Sequence, residues 1–201
     1  MRHIITIGRE FGSGGRELGR RLSDELQIAY YDQEIISEVA KRTALSEAYV
    51  GQFEETRPIT VYPIHVRNSF YSMPAPSFQQ DVSIYVEQHR LLEELSGRSD
   101  CIIVGRCTDY IRSVFFVYAD TASKLQRCME RRSTYEMLTD TQMQQKIMEI
   151  DRNHAKYYGV FTGQKWDSRE NYDLLVNSSC TDIKLLSAAI AGFLRVMLDR
   201  R

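Results

Sequence analysis

Residues 8–18 read GREFGSGGREL, four glycines, a serine and two arginines set between an apolar run and an amphipathic one. Glycines in such a place let several backbone N–H groups turn toward one anion, and a helix starting just behind them adds the positive end of its dipole. Gly12, Gly14 and Gly15 supply that freedom, while Arg9, Ser13 and Arg16 add donors. The chemistry is that of a polyphosphate cradle. Its wording departs from G-x-x-x-x-G-K-[ST], in which a lysine reaches the outer phosphates and a hydroxyl holds magnesium. With Gly14 as the last glycine of that pattern, Gly15 stands in the lysine's place and no hydroxyl follows. Arg16, or Arg20 one turn on, is the candidate replacement for the missing charge, although a guanidinium is a planar fork and an ammonium a point charge. The expected nucleotide-binding set is Arg9, Gly12, Ser13, Gly14, Gly15, Arg16 and Glu17. A glycine-rich turn that binds nothing is the competing reading.

Two further groups carry charge suited to phosphate. Arg106 follows an apolar run ending Val104-Gly105, which sets it at the carboxyl edge of a strand, where open α/β sheets bind ligands. Lys124, Arg127 and Arg131 share one helical face at i, i+3 and i+7, with Arg132 beside them. Clustered arginines suit bidentate phosphate contact and the charge that develops in phosphoryl transfer. Asp151, Arg152, His154 and Lys156 follow on the next helix, so residues 121–158 read as a charged helical hairpin of the kind that closes over a phosphate site. For each of these side chains a plain solvated charge is the alternative, and for His154 a structural hydrogen bond.

The elements that position these groups alternate early. His3–Gly8 is a continuous apolar, β-branched run, the pattern of a strand buried on both faces. Leu18, Leu22 and Leu26 then recur at helical spacing over 15–26. A short strand over 28–31 and a helix over 33–42 follow, which favours a parallel sheet with crossover helices. Further strands are expected at 100–105, 114–119 and 172–177, and helices at 81–96, 121–132 and 140–158. The last helix starts near Asp182, with Leu186, Ile190, Phe193, Leu194 and Met197 on its inner face. Residues 57–80 hold all four prolines and the aromatics Tyr62, Phe70, Tyr71 and Phe78, and read as a long loop that lines a pocket or forms a homodimer surface. The whole chain is expected to be one domain.

The chain has 201 residues, 43% apolar and 26% charged, with 26 Lys and Arg against 27 Asp and Glu and a formal net charge of −1. That balance speaks against a general nucleic-acid or membrane surface, either of which draws on a basic excess. The four cysteines follow no metal-ligand spacing and read as reduced thiols. With no bilayer-spanning run and no leader before the first strand, a cytoplasmic location is expected.

GREFGSGGREL, YYDQEII, IIVGRCTDYI, the run 151–158, FTGQKW and NYDLLVNSS resemble, in order, the motifs of the cytidylate kinase-like family of bacterial P-loop proteins. The resemblance extends from the first strand into the last helix and omits the proline-rich insert. It implies a three-layer α/β/α fold with a five-stranded parallel sheet ordered 2-3-1-4-5 and a helical lid. It implies ATP and magnesium as cosubstrates, and transfer of a phosphoryl group to CMP, dCMP or a similar monophosphate. Gly105-Arg106 would hold the acceptor phosphate, with Asp32 near the acceptor. Arg127 matches the first lid arginine, Arg131 or Arg132 would face the transferring group, and Arg16 would carry the lysine's charge. Asp151 and His154 stand where family members read the acceptor base with an aspartate and an arginine. Two rival functions remain: a kinase fold that binds nucleotide without turnover, and a kinase for another small acceptor.

Overall fold

The computed structural model describes residues 3–55, 61–66, 69–74, 78–105, 113–132 and 137–198. Arg106 and Cys107 lie outside them. Five strands form one parallel sheet: β1 (Ile4–Arg9), β2 (Ala29–Tyr31), β5 (Cys101–Val104), β6 (Ser113–Tyr118) and β7 (Leu174–Asn177). Their spatial order is β2-β5-β1-β6-β7, which in chain order of these five is 2-3-1-4-5, as expected. β1 is central, with Ile5 opposite Ile102 on one side and opposite Ser113 on the other.

Both faces are covered, which is why the strands are apolar without alternation. Ile5, Ile7, Ile102, Val104, Phe115 and Val117 pack with Leu18 and Leu22 of α1 (Gly15–Leu26) and Ile190 and Leu194 of α7 (Ile183–Leu198). Cys101 and Ile103 face the other way. They meet Ile35 and Val39 of α2 (Gln33–Thr43), Leu91 and Leu92 of α4 (Phe78–Ser96) and Tyr157 of α6 (Asp140–Thr162). Sheet edge and helix starts therefore share one rim, and the glycine loop lies on it.

Three expectations change. The insert is not a plain loop: β3 (Val61–Val66) and β4 (Ser69–Pro74) pair antiparallel, with Ile64 opposite Tyr71. In a two-stranded ribbon every strand is an edge, so Pro63 is tolerated where a central strand would exclude it. A helix missed in the sequence, α3 (Glu47–Glu55), starts behind Ser46, whose Oγ accepts the Tyr49 N–H at 3.2 Å. On α7 the buried face runs through Ile183, Ser187, Ile190, Ala191 and Leu194, and this places Phe193 outward, 44% exposed. Among the described residues no helix is long and apolar enough to cross a membrane.

Candidate functional site

α1 begins at Gly15 with Gly14 as its N-cap, and no side chain caps that start. Gly12 and Gly14 both have positive φ, 77° and 82°, the backbone shape that turns N–H groups to one side and that glycine adopts at least cost. The loop is held from behind. Ser178, at the end of β7, donates from Oγ to the Ser13 carbonyl at 2.6 Å and lies 3.1 Å from the Tyr118 carbonyl. Arg127, on α5 (Thr121–Arg131), donates to the carbonyls of Ser13 and Ser178. Ser178→Ala removes a fully buried anchor, and thermal or urea unfolding is expected to show a loss of about 1–2 kcal/mol.

A second brace is ionic. Lys124, grouped by sequence with the phosphate-facing arginines, turns inward and is buried. Its Nζ bonds Glu10 Oε2 at 3.0 Å and Asp151 Oδ2 at 2.7 Å. Asp151 Oδ1 accepts the Phe11 N–H at 2.7 Å. Burial by itself would lower the lysine's pKa, but the bonds to Asp151 and Glu10 outweigh it and hold the pKa above the ordinary value. Burial raises Asp151 above the usual aspartate range, against the pull of Lys124 and the Phe11 N–H. Asp151, expected at the acceptor base, has both oxygens committed inside the protein. Its effect is to fix the loop's shape by tying Phe11 to α5 and α6.

In front of the loop lies a cavity of about 240 Å³. Arg9 and Arg16 enter it from the loop, Arg127 and Arg131 from α5, Arg132 from just past its end, and Lys146 from α6, while among the described residues Glu10 is the only carboxylate on the wall. Gly12, Gly14, Gly15 and His154 also line it. Ser13, though in the loop, is fully buried behind it, its Oγ donating to the Glu10 carbonyl at 2.8 Å. Glu10, Phe11, Cys128, Met143 and Lys146 are the wall residues that the sequence did not single out. Cys128 lies on α5 beside Arg127, whereas Met143 and Lys146 are on α6 and reach the loop through the packing of α6 on α5.

The cations differ in their ties. Arg131 pairs with Glu17, which also holds Arg21 at 2.9 Å, so Glu17 faces these arginines and does not line the cavity. Arg132 donates to the Leu138 carbonyl at 3.0 Å. Arg16 Nε lies 2.6 Å from Oδ2 of the buried Asp32. The other oxygen of Asp32, Oδ1, accepts no hydrogen bond. Tyr30 closes this corner, its hydroxyl 3.3 Å from the Arg16 carbonyl and 3.4 Å from Asp32 Oδ2. Burial and then the Asp32 charge push the Tyr30 pKa up to about 12, so it stays a neutral donor. The Arg9 side chain runs from beside Gly15 to Gly105: a Cβ on Gly15 would fall 2.7 Å from Arg9 Cβ, and one on Gly105 would fall 2.5 Å from Arg9 Nη1.

A glycine loop between a central parallel strand and a helix, on a five-stranded sheet of this order, defines a P-loop kinase fold. The model of the cytidylate kinase-like family matches residues 4–180, and the chain belongs to that family. No curated protein matches it. Among solved structures, an uncharacterized protein from Eubacterium ventriosum aligns at 22% identity and TM-score 0.69, covering 96% of this chain and 99% of that one. A shikimate kinase from Bacteroides thetaiotaomicron aligns at 12% identity and TM-score 0.56, covering 98% of each. A sugar kinase from Janibacter aligns at 10% and 0.56, covering 97% and 95%. At these identities the likeness is one of fold.

Kinases of this class generally use ATP with Mg²⁺. The side chains at this loop fit the nucleotide's phosphates and do not fit the metal. Arg16 takes the position of the magnesium-holding hydroxyl, and its guanidinium sits on Asp32. Glu10, Glu17 and Asp151 are each paired with an internal cation. Among the described residues no cluster of three or more His, Cys, Asp or Glu is placed to hold a metal.

Proposed function

We propose that this chain uses ATP to phosphorylate a small acceptor, with CMP and dCMP first among them. The observation that carries this reading is the ring of six cations, Arg9, Arg16, Arg127, Arg131, Arg132 and Lys146, converging on an uncapped helix start behind a glycine loop. Phosphoryl transfer asks a protein for position and charge stabilisation more than for covalent chemistry. In this reading the N–H groups of Gly12, Gly14, Gly15 and Arg16 hold the nucleotide's phosphates, the Ser13 N–H being bonded to the Glu10 carbonyl. Arg131, Arg132 and Lys146, reaching in from α5 and α6, neutralise the transferring group and act as the lid. Arg127 serves by keeping the Ser13 carbonyl drawn back, and Arg16 by meeting phosphate charge at the helix start. Asp32 and Arg106 take the acceptor side, and His154, on the cavity wall, replaces Asp151 as the group nearest the acceptor.

A coupled ADP-release assay over CMP, dCMP, UMP, AMP and shikimate tests this. Turnover is expected with the cytidine nucleotides, and turnover with shikimate alone would move the acceptor class. The second reading, nucleotide binding without transfer, is favoured by Gly15 in the lysine's place. Binding with no turnover on any acceptor would establish it and overturn the kinase.

A further inference from the structure

The proposed nucleotide site meets phosphate charge in an unusual way, and this inference rests on that site being one for nucleotide. In the standard loop a hydroxyl at the second residue of the helix and a nearby aspartate hold Mg²⁺, which bridges the outer phosphates. Here the second residue of α1 is Arg16, and it forms a 2.6 Å ion pair with Asp32, the aspartate at the end of β2. A divalent ion placed there would face a fixed cation and a carboxylate oxygen already taken. Asp32 Oδ1 is left over but buried, and a single buried oxygen does not suit an ion that keeps most of its hydration shell. The other carboxylates around the loop, Glu10, Glu17 and Asp151, are bonded to Lys124, Arg131, Arg21 and the Phe11 N–H.

The cavity wall meanwhile carries more positive charge than a lysine and a metal site would need. Guanidinium groups bind phosphate bidentately and, unlike Mg²⁺, need no carboxylate to hold them in place. We propose that the chain binds the polyphosphate as the metal-free anion, Arg16 standing where Mg²⁺ stands in related folds, and that Mg²⁺ lowers its affinity for ATP or leaves it unchanged. The chemical class of ligand is then the free nucleoside triphosphate or diphosphate, or another polyphosphate of like charge, in place of its magnesium complex.

Isothermal titration of the full chain with ATP, once in excess chelator and once in excess Mg²⁺, tests this directly. The metal-free affinity is expected to equal or exceed the other. A gain of more than about threefold on adding Mg²⁺ overturns the inference while leaving the nucleotide site intact. No binding under either condition overturns both. Arg16→Ser, which supplies a hydroxyl and releases Asp32, is expected to lose about tenfold for metal-free ATP and to bind more tightly with Mg²⁺. An Arg16→Ser chain that melts as the parent does and binds metal-free ATP equally well removes Arg16 from the assignment. Should that variant not fold, the comparison on the parent chain decides alone.

Discussion

Lys124→Met is expected to lower stability by about 3–5 kcal/mol, the usual cost of removing one partner from a buried ion pair. For a chain of this size that is a fall of about 10 °C in melting temperature. The cost follows from what remains: Glu10 and Asp151 are left facing one another with no cation between them, and Lys124 is the buried centre of both bonds. The damage depends on pH, and its sign is fixed. Asp151 titrates above the ordinary aspartate range because of burial, and without Lys124 only the Phe11 N–H is left to oppose it. The folded variant then binds more protons than its unfolded chain, so its stability rises as pH falls through that raised pKa and is lost as pH rises through it. Lys124 in the parent chain acts in the same direction but at alkaline pH. Its raised pKa contributes stability that is present below the ordinary lysine value and lost as pH climbs through the folded one. Melting curves of parent and variant between about pH 5 and 8 are expected to converge on the acid side. A gap that stays constant across that range would mean Lys124 acts by packing alone.

Gly12→Ala is expected to have the largest effect on ligand binding of any single methyl added to the chain. Gly12 has φ of 77°, which costs an L-residue about 1–2 kcal/mol. Its new Cβ would lie 2.8 Å from Cys128 Sγ and 3.0 Å from the Lys124 carbonyl. A thiol can swing aside, but the carbonyl belongs to α5 and cannot. The loop must therefore lift away from α5, which carries Arg127, Arg131 and Arg132, and the N–H groups and guanidiniums lose their common focus. A fall of at least about tenfold in nucleotide affinity, with a smaller loss in melting temperature, is the expected pair of readouts. Equal affinity for parent and variant would show that the ligand does not sit on this loop. Gly14→Ala is the milder comparison, since its Cβ meets the movable tip of Ile183 at 2.8 Å.

The fold was legible from local pattern. His3–Gly8 is mostly apolar because β1 is covered on both faces, and leucines 18, 22 and 26, four residues apart, mark the inner face of α1. The strand order came through resemblance, since spacing alone does not order a sheet. The insert was misread because its prolines signal a break only where a strand has neighbours on both sides, and β3 has one. Composition placed phosphate chemistry at residues 8–18, and periodicity gathered the arginines of α5. Neither could separate Lys124 from Arg127 and Arg131.

That separation was decided by tertiary structure. One helical face spans more than one environment when its helix lies across a rim, so Lys124 meets Glu10 and Asp151 in the interior while Arg131 and Arg132 reach the cavity. Asp151, on α6, was assigned to the acceptor base through the family resemblance, yet its partners come from α5 and from the loop's backbone, residues far away along the chain. Lys146 reached the site only by the packing of α6 on α5. The absence of lysine and hydroxyl in GSGGRE was plain in the sequence itself. What stands around the loop in their absence, Arg9 against Gly15 and Arg16 on Asp32, depends on side chains meeting across strand and helix, and sequence spacing holds no record of such distances.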